Sequence, residues 1–163
     1  LDFFWDEDPM PDGGVSERTT KNLATTLDTP MLGLEHVRTG PYGAVDSLAS
    51  ESTDLVRASA HMDGGITGAL KTAEAAEAFG ADVELLLGGP AHMQLMSALR
   101  NSSFFEHGLL NPESTWILNQ GFEGEPESID DDGRMAVPDG PGLGVDIDWA
   151  FVERRRTGHT LID

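Results

Sequence analysis

The chain has no cysteine among its 163 residues. That removes disulfides, cysteine-ligated zinc, iron–sulfur clusters and thiol nucleophiles. Cations are scarce: 10 Lys and Arg stand against 29 Asp and Glu, a net charge of −19, and Lys21 and Lys71 are the only lysines. A globule of this size exposes roughly 7,900 Å², or about 400 Å² per net negative charge. Such a surface argues against nucleic acid, whose phosphates are bound by Lys and Arg that displace counterions. It also disfavours an anionic membrane. No apolar run approaches 18 residues, so no transmembrane helix is expected. The start, Leu1-Asp2-Phe3-Phe4-Trp5-Asp6, lacks the cationic opening of a signal peptide. A cytoplasmic protein is expected. The acidity and lysine poverty also suggest adaptation to high salt, where a Debye length of about 3 Å at 1 M screens carboxylate repulsion.

What is present is an alternation of short apolar runs and helical patterns. The runs cover residues 1–5, 31–34, 55–58, 83–87 and 104–105, with onsets near 3, 31, 55, 83 and 104. The steps of 28, 24, 28 and 21 residues match a βα unit. Helices are expected from Ser16 to about Leu27, over 44–50, from Ile66 to a stop at Gly80, and over 93–99 behind Gly88-Gly89-Pro90. Repeated β-α-β-α implies a parallel sheet, either open and doubly wound or part of a (β/α)8 barrel. Residues 107–144 are rich in Gly, Pro, Asp and Glu, with a strand candidate at 135–137, and a short helix is expected over 149–155. The division expected is a partial barrel over 1–110 and a tail over 111–163, packed on the barrel or on a capping domain.

Active sites of parallel barrels lie where the strands end. Three of the five runs end in acid: Trp5-Asp6-Glu7-Asp8-Pro9, Leu34-Glu35-His36 and Phe105-Glu106. Carboxylates converging from separate strands make an all-oxygen site suited to Mg²⁺. Acids capping helices or decorating an acidic surface are the bland alternative.

These segments resemble the enolase superfamily, in its mandelate racemase/muconate lactonizing enzyme branch, and within it the acid-sugar dehydratases. Trp5-Asp6-Glu7-Asp8-Pro9 is similar to the family's W-x-E-x-P segment, and Gly33-Leu34-Glu35-His36 to a strand ending in G-E or G-E-H. Asp63-Gly64-Gly65-Ile66-Thr67 resembles a G-G-I-T helix start. Gly88-Gly89-Pro90-Ala91, the stretch from Asn101 to Glu106, and Val137 through Gly144 resemble its later segments.

The resemblance implies the C-terminal part of a (β/α)8 TIM-type barrel, about strands 4–8. It makes Glu7 and Glu35 the second and third Mg²⁺ ligands. Glu106 matches an acid that meets the substrate carboxylate or developing enediolate. The implied chemistry is abstraction of a proton α to a carboxylate, followed by dehydration of a sugar acid. A racemase or cycloisomerase of the same fold is an alternative. The first metal ligand, a lysine-bearing strand and the capping domain would lie upstream of Leu1. The full-length protein is expected to be a homo-oligomer. Neither lysine sits at a strand end, and the family's Asp–His dyad is replaced by Ser59 and Leu86; that replacement motivates a third reading, a degenerate non-catalytic paralogue. His61, two residues past Ser59, is the group of near-neutral pKa at that strand end. It is read as a stand-in acid or base, or else as a loop histidine. His36 directly follows Glu35, and His92 falls in a helical pattern as a structural residue.

Overall fold

The computed structural model describes residues 3–11, 13–37, 39–107 and 121–160. Four short strands form one sheet: β1 (Asp6–Glu7), β2 (Met31–Gly33), β3 (Leu55–Ala58) and β4 (Val83–Leu85). All neighbours are parallel, in the order β1-β2-β3-β4. Each strand is followed by a helix: α1 (Glu17–Ala24), α2 (Gly40–Ala49), α3 (Ile66–Phe79) and α4 (Pro90–Ala98). A fifth helix, α5 (Trp149–Arg155), lies in the tail, opened by Asp148 Oδ1 accepting the Phe151 N–H at 2.8 Å. No helix among the described residues is long and apolar enough to cross a membrane.

Local chemistry sets the helix ends. Ser16 precedes α1 as expected, but the helix stops at Ala24, short of Leu27. Thr25 and Thr26 turn their hydroxyls back onto the Asn22 carbonyl, which competes with the helical ladder. The helix expected to start at Ala44 begins at Gly40, with Pro41 in its first turn, where a helix needs no N–H. The stop at Gly80 is as expected: its φ of 75° is left-handed, which glycine adopts without a Cβ clash.

Side chains alternate along a strand, and the core forms on one face of the sheet. Val56 and Ala58 of β3 and Val83 and Leu85 of β4 pack on Ala44 and Leu48 of α2, Ala69, Ala73 and Ala76 of α3, and Leu95 of α4. The alanines let α3 approach the sheet closely, and burial of each larger aliphatic contributes about 1.5–3 kcal/mol.

The fifth run, Phe104-Phe105, is not a strand. Glu84 takes the backbone N–H groups of Ser103 and Phe104 at 3.1 and 3.2 Å, so a side chain holds this segment. Nor do residues 135–137 form a strand: Met135 makes only an isolated antiparallel bridge to Ile129. Asp130 Oδ1 closes the intervening turn by accepting the N–H groups of Asp132 and Arg134. Gln94 of α4 donates to the carbonyls of Pro138 and Leu143, tying the tail to the helix layer. The boundary expected at 110/111 lies outside the described residues, as do Leu1 and Asp2 of the first run.

Candidate active site

Strand register decides which side chains meet. Glu7 pairs with Leu32, Leu32 with Leu55, and Arg57 with Glu84. In-register partners, and residues two apart on a strand, share a face. Glu7, Leu32, Leu55, Arg57 and Glu84 therefore occupy the face opposite the helices, the interior of a barrel. Two acids and one arginine on that face are unusual for a buried sheet surface and point to function.

Arg57 organises this face. Its Nε and Nη2 donate to Glu7 Oε1 and Oε2 at 2.5 and 2.8 Å, a two-pronged pair reaching across β2. Its Nη1 lies 3.0 Å from Glu106 Oε2. That contact is an ion pair without hydrogen-bond alignment, and Glu106 Oε2 is buried with no hydrogen-bond partner among the described residues. The Arg57 side chain is 9% exposed. Burial works against its charge, but Glu7 first, then Glu106 and Glu35, hold its pKa above the ordinary value. Arg57, Glu84 and Glu106 line a cavity of about 320 Å³ with Phe4, Trp5 and Phe104, three rings in mutual edge contact.

Glu35 joins from the end of β2. Leu34 adopts φ +80°, a left-handed turn that a branched residue holds only under constraint. The constraint is visible: Asp8 Oδ2 accepts the Glu35 N–H at 3.0 Å, tying the end of β1 to the end of β2. Burial, then the hydrogen bond and charge of Glu7, raise the Glu35 pKa. Burial also raises that of Asp8. Asp8, Glu35 and His36 each bring one ligand atom within 4.8 Å of the others.

The third strand end is different. Ser59 is buried, its N–H is held by Asp63 Oδ2 at 2.8 Å, and its Oγ accepts the His61 N–H at 3.2 Å. Leu86 is buried, its N–H donating to the Ala58 carbonyl. His61 is exposed, its ring in edge contact with His92 at 4.9 Å between centroids. His92 is wholly buried: Nε2 accepts the Ala60 N–H at 2.8 Å, and Nδ1 lies 2.5 Å from the Leu87 carbonyl. Since Nε2 accepts, the proton sits on Nδ1, and His92 is a neutral strut between the β3–α3 and β4–α4 loops. Lys21 and Lys71 lie on α1 and α3, away from strand ends.

Sequence reasoning passed over Arg57 and Glu84. The signal was available, since a charge inside an apolar run such as Leu55-Val56-Arg57-Ala58 is rarely buried unless paired. It also passed over Glu127, a buried acid of the tail with its pKa raised by burial. Glu127 Oε2 lies 3.8 Å from His107 Nε2. A Cβ on Gly88 would sit 2.7 Å from that same oxygen, so only glycine admits the tail here.

Comparison with known proteins gives the family of the chain. Residues 1–151 match the model of the enolase C-terminal domain-like family. No curated protein sequence matches the chain. Among solved structures, D-glucarate dehydratase from Agrobacterium tumefaciens, complexed with magnesium, is similar at 32% identity and a TM-score of 0.86, over 96% of this chain and 40% of that one. L-Talarate dehydratase from Polaromonas sp. JS666, complexed with Mg and L-glucarate, is 27% identical with a TM-score of 0.73, over 93% and 39%. An enolase from alpha proteobacterium BAL199 with bound Mg is 25% identical with a TM-score of 0.77, over 93% and 39%. The chain thus spans about 40% of the length of these relatives, and its four parallel strands are part of their barrel. The chain belongs to the enolase C-terminal domain-like family, as the C-terminal portion of its (β/α)8 barrel.

Proposed function

We propose that this chain carries half of the site of a Mg²⁺-dependent lyase that removes the α-proton of a sugar-acid carboxylate and dehydrates it. One observation carries the reading: Glu7 of β1, Glu35 just past β2 and Glu106 of the segment held by Glu84 converge on Arg57. The donor chemistry fits the ion. Glu7 and Glu35 are hard oxygen ligands, with Asp8 beside them, and the pKa of Glu35 is raised by burial and by the neighbouring Glu7, a proximity that a divalent cation would relieve. Both dehydratase relatives were determined with magnesium.

In this reading Glu7 and Glu35 hold Mg²⁺, which when bound supplies Lewis-acid stabilisation of the negative charge developing on the substrate carboxylate. Glu106 meets that carboxylate through its buried Oε2, which is ion-paired with Arg57 and has no hydrogen-bond partner among the described residues. His61 moves a proton, taking it from the α-carbon or delivering it to the departing β-hydroxyl. The α C–H and β C–O bonds break, water leaves, and the enol becomes a 2-keto-3-deoxy acid. The substrate is a small sugar acid, as in the talarate dehydratase complex.

Incubation of the complete polypeptide with a sugar-acid panel and Mg²⁺ in high salt tests this. A 2-keto-3-deoxy product, lost in Glu35→Gln, supports it. Absence of Mg²⁺ binding by calorimetry would sink it. A second reading rests on Ser59 and Leu86, which leave the dyad positions without a proton carrier. Mg²⁺ and carboxylate binding with no exchange of the α-proton in D₂O identifies a non-catalytic paralogue. Exchange without dehydration identifies a racemase or cycloisomerase.

A further inference from the structure

Both oxygens of the Glu7 carboxylate are already engaged by one guanidinium. Arg57 holds Oε1 and Oε2 together, in the fork-to-fork arrangement by which guanidinium binds a carboxylate most strongly. A carboxylate has about four lone-pair sites, and this grip uses one on each oxygen. Mg²⁺ demands ligands at about 2.0–2.1 Å in near-octahedral geometry. An ion on either oxygen would then face a guanidinium across a single atom, in a site that shields little of the repulsion.

Arg57 also has somewhere else to go. Its Nη1 is 3.0 Å from Glu106, its register partner is Glu84, and the Leu85 carbonyl is 3.4 Å from Nη1. Glu84 is 1% exposed and feels the Arg57 charge. Released from Glu7, the guanidinium keeps its ion pair with Glu106 and stays within the field of Glu84. Among the described residues, no other Lys or Arg forms an ion pair with Glu7, Glu35 or Glu106.

We propose that Arg57 is a positioning residue that acts as the internal counter-ion of the site, so that uptake of a divalent cation exchanges guanidinium for metal on Glu7. Arg57 keeps three converging acids from repelling one another while no ion is bound, and in return it weakens the hold on the ion. The inference rests on the reading of Glu7 and Glu35 as ligands. It differs from a purely structural role in one direction: removing a structural residue loosens a metal site, whereas removing a competitor tightens it.

The experiment compares wild type, Arg57→Met and Arg57→Lys in the complete polypeptide at one fixed high salt concentration. Mg²⁺ affinity is read by calorimetry, and the Tm is read in chelator and in saturating Mg²⁺. If Glu7 is free of Arg57 in a tenth or less of wild-type molecules, Arg57→Met binds Mg²⁺ at least about tenfold more tightly. Its Tm in chelator falls below wild type, and Mg²⁺ raises it by more than it raises wild type. Arg57→Lys, which restores the charge, returns the affinity toward wild type. An affinity in Arg57→Met equal to or weaker than wild type overturns the exchange. Should Arg57→Met be unfolded in chelator, circular dichroism follows a Mg²⁺ titration. Folding driven by the ion agrees with the proposal, and no folding at any Mg²⁺ concentration overturns it. Wild type that binds no Mg²⁺ removes the ligand reading and the exchange together. Wild type that binds, beside an unchanged Arg57→Met, removes the exchange alone.

Discussion

His92 Nε2 accepts the Ala60 N–H at 2.8 Å, so a fully buried imidazole on α4 anchors the loop that follows β3. The other ring nitrogen meets the Leu87 carbonyl in the loop that follows β4. Two strand ends that must stay in register at the site are thereby locked by a single neutral ring. Ser59 and His61 lie on one of these loops and Gly88 on the other, so the geometry of the third strand end depends on this strut.

The strut makes stability depend on pH. Burial holds the His92 pKa below its ordinary value, whereas the unfolded chain takes up that proton near 6.5, at roughly the free-histidine value. Below that pH the unfolded state binds more protons than the folded state, so stability falls as pH falls. The buried acids Glu84 and Glu127 and the half-buried Asp8 and Glu35 have raised pKa values and act in the opposite sense, losing stability as pH rises. The difference between wild type and His92→Gln isolates the histidine. In urea melts between about pH 7 and 5, wild type loses more stability than the variant. Parallel curves would show that His92 does not titrate on unfolding.

Glu84 performs a structural task with a charged group. It is 1% exposed and takes the N–H groups of Ser103 and Phe104 at 3.1 and 3.2 Å. Glu84→Gln leaves one oxygen for two donors and puts an amide NH₂ where an acceptor is needed. The expected loss is about 1–3 kcal/mol in denaturant unfolding. A loss below about 0.5 kcal/mol, the level of an ordinary surface change, would show that the segment is held by something else.

Gly80 offers a test free of packing. Its φ is 75°, and a Cβ there would meet nothing within 4 Å. Gly80→Ala is therefore expected to cost about 1–2 kcal/mol from backbone conformation alone. Glu77→Ala, on the exposed side of the same helix, serves as the control and should stay within about 0.5 kcal/mol. Equal effects for the two would place the strain elsewhere.

The acid surface predicts a response to salt. Glu123, Glu125, Asp130, Asp131 and Asp132 are all exposed within ten residues of one another. Screening shortens from about 10 Å at 0.1 M to about 3 Å at 1 M salt, so repulsion among them fades over that range. The Tm of the complete polypeptide should climb with KCl across it. A Tm that stays flat or falls would remove the proposal of adaptation to high salt.

Three of the five apolar runs contain parallel strands, the first run instead leads into β1 at Asp6–Glu7 just beyond its expected end, and all five helical patterns became helices, because both signals are local: side-chain periodicity, Gly and Pro punctuation, and the length of a βα unit. The acids at the ends of β1 and β2 were legible for the same reason, since a residue at a strand end is placed by its own neighbours. Phe104-Phe105 misled because two aromatics look like a strand, while the N–H groups that decide the matter bond to a glutamate 19 and 20 residues earlier. Arg57 escaped notice because one charge in an apolar run reads as noise until register sets it beside Glu84 and across β2 from Glu7. Sequence by itself determined the βα rhythm, the acidity and the residue types at each strand end. Tertiary structure alone decided which charges face one another, because pairing depends on register between strands and on the cost of burying a charge without a partner.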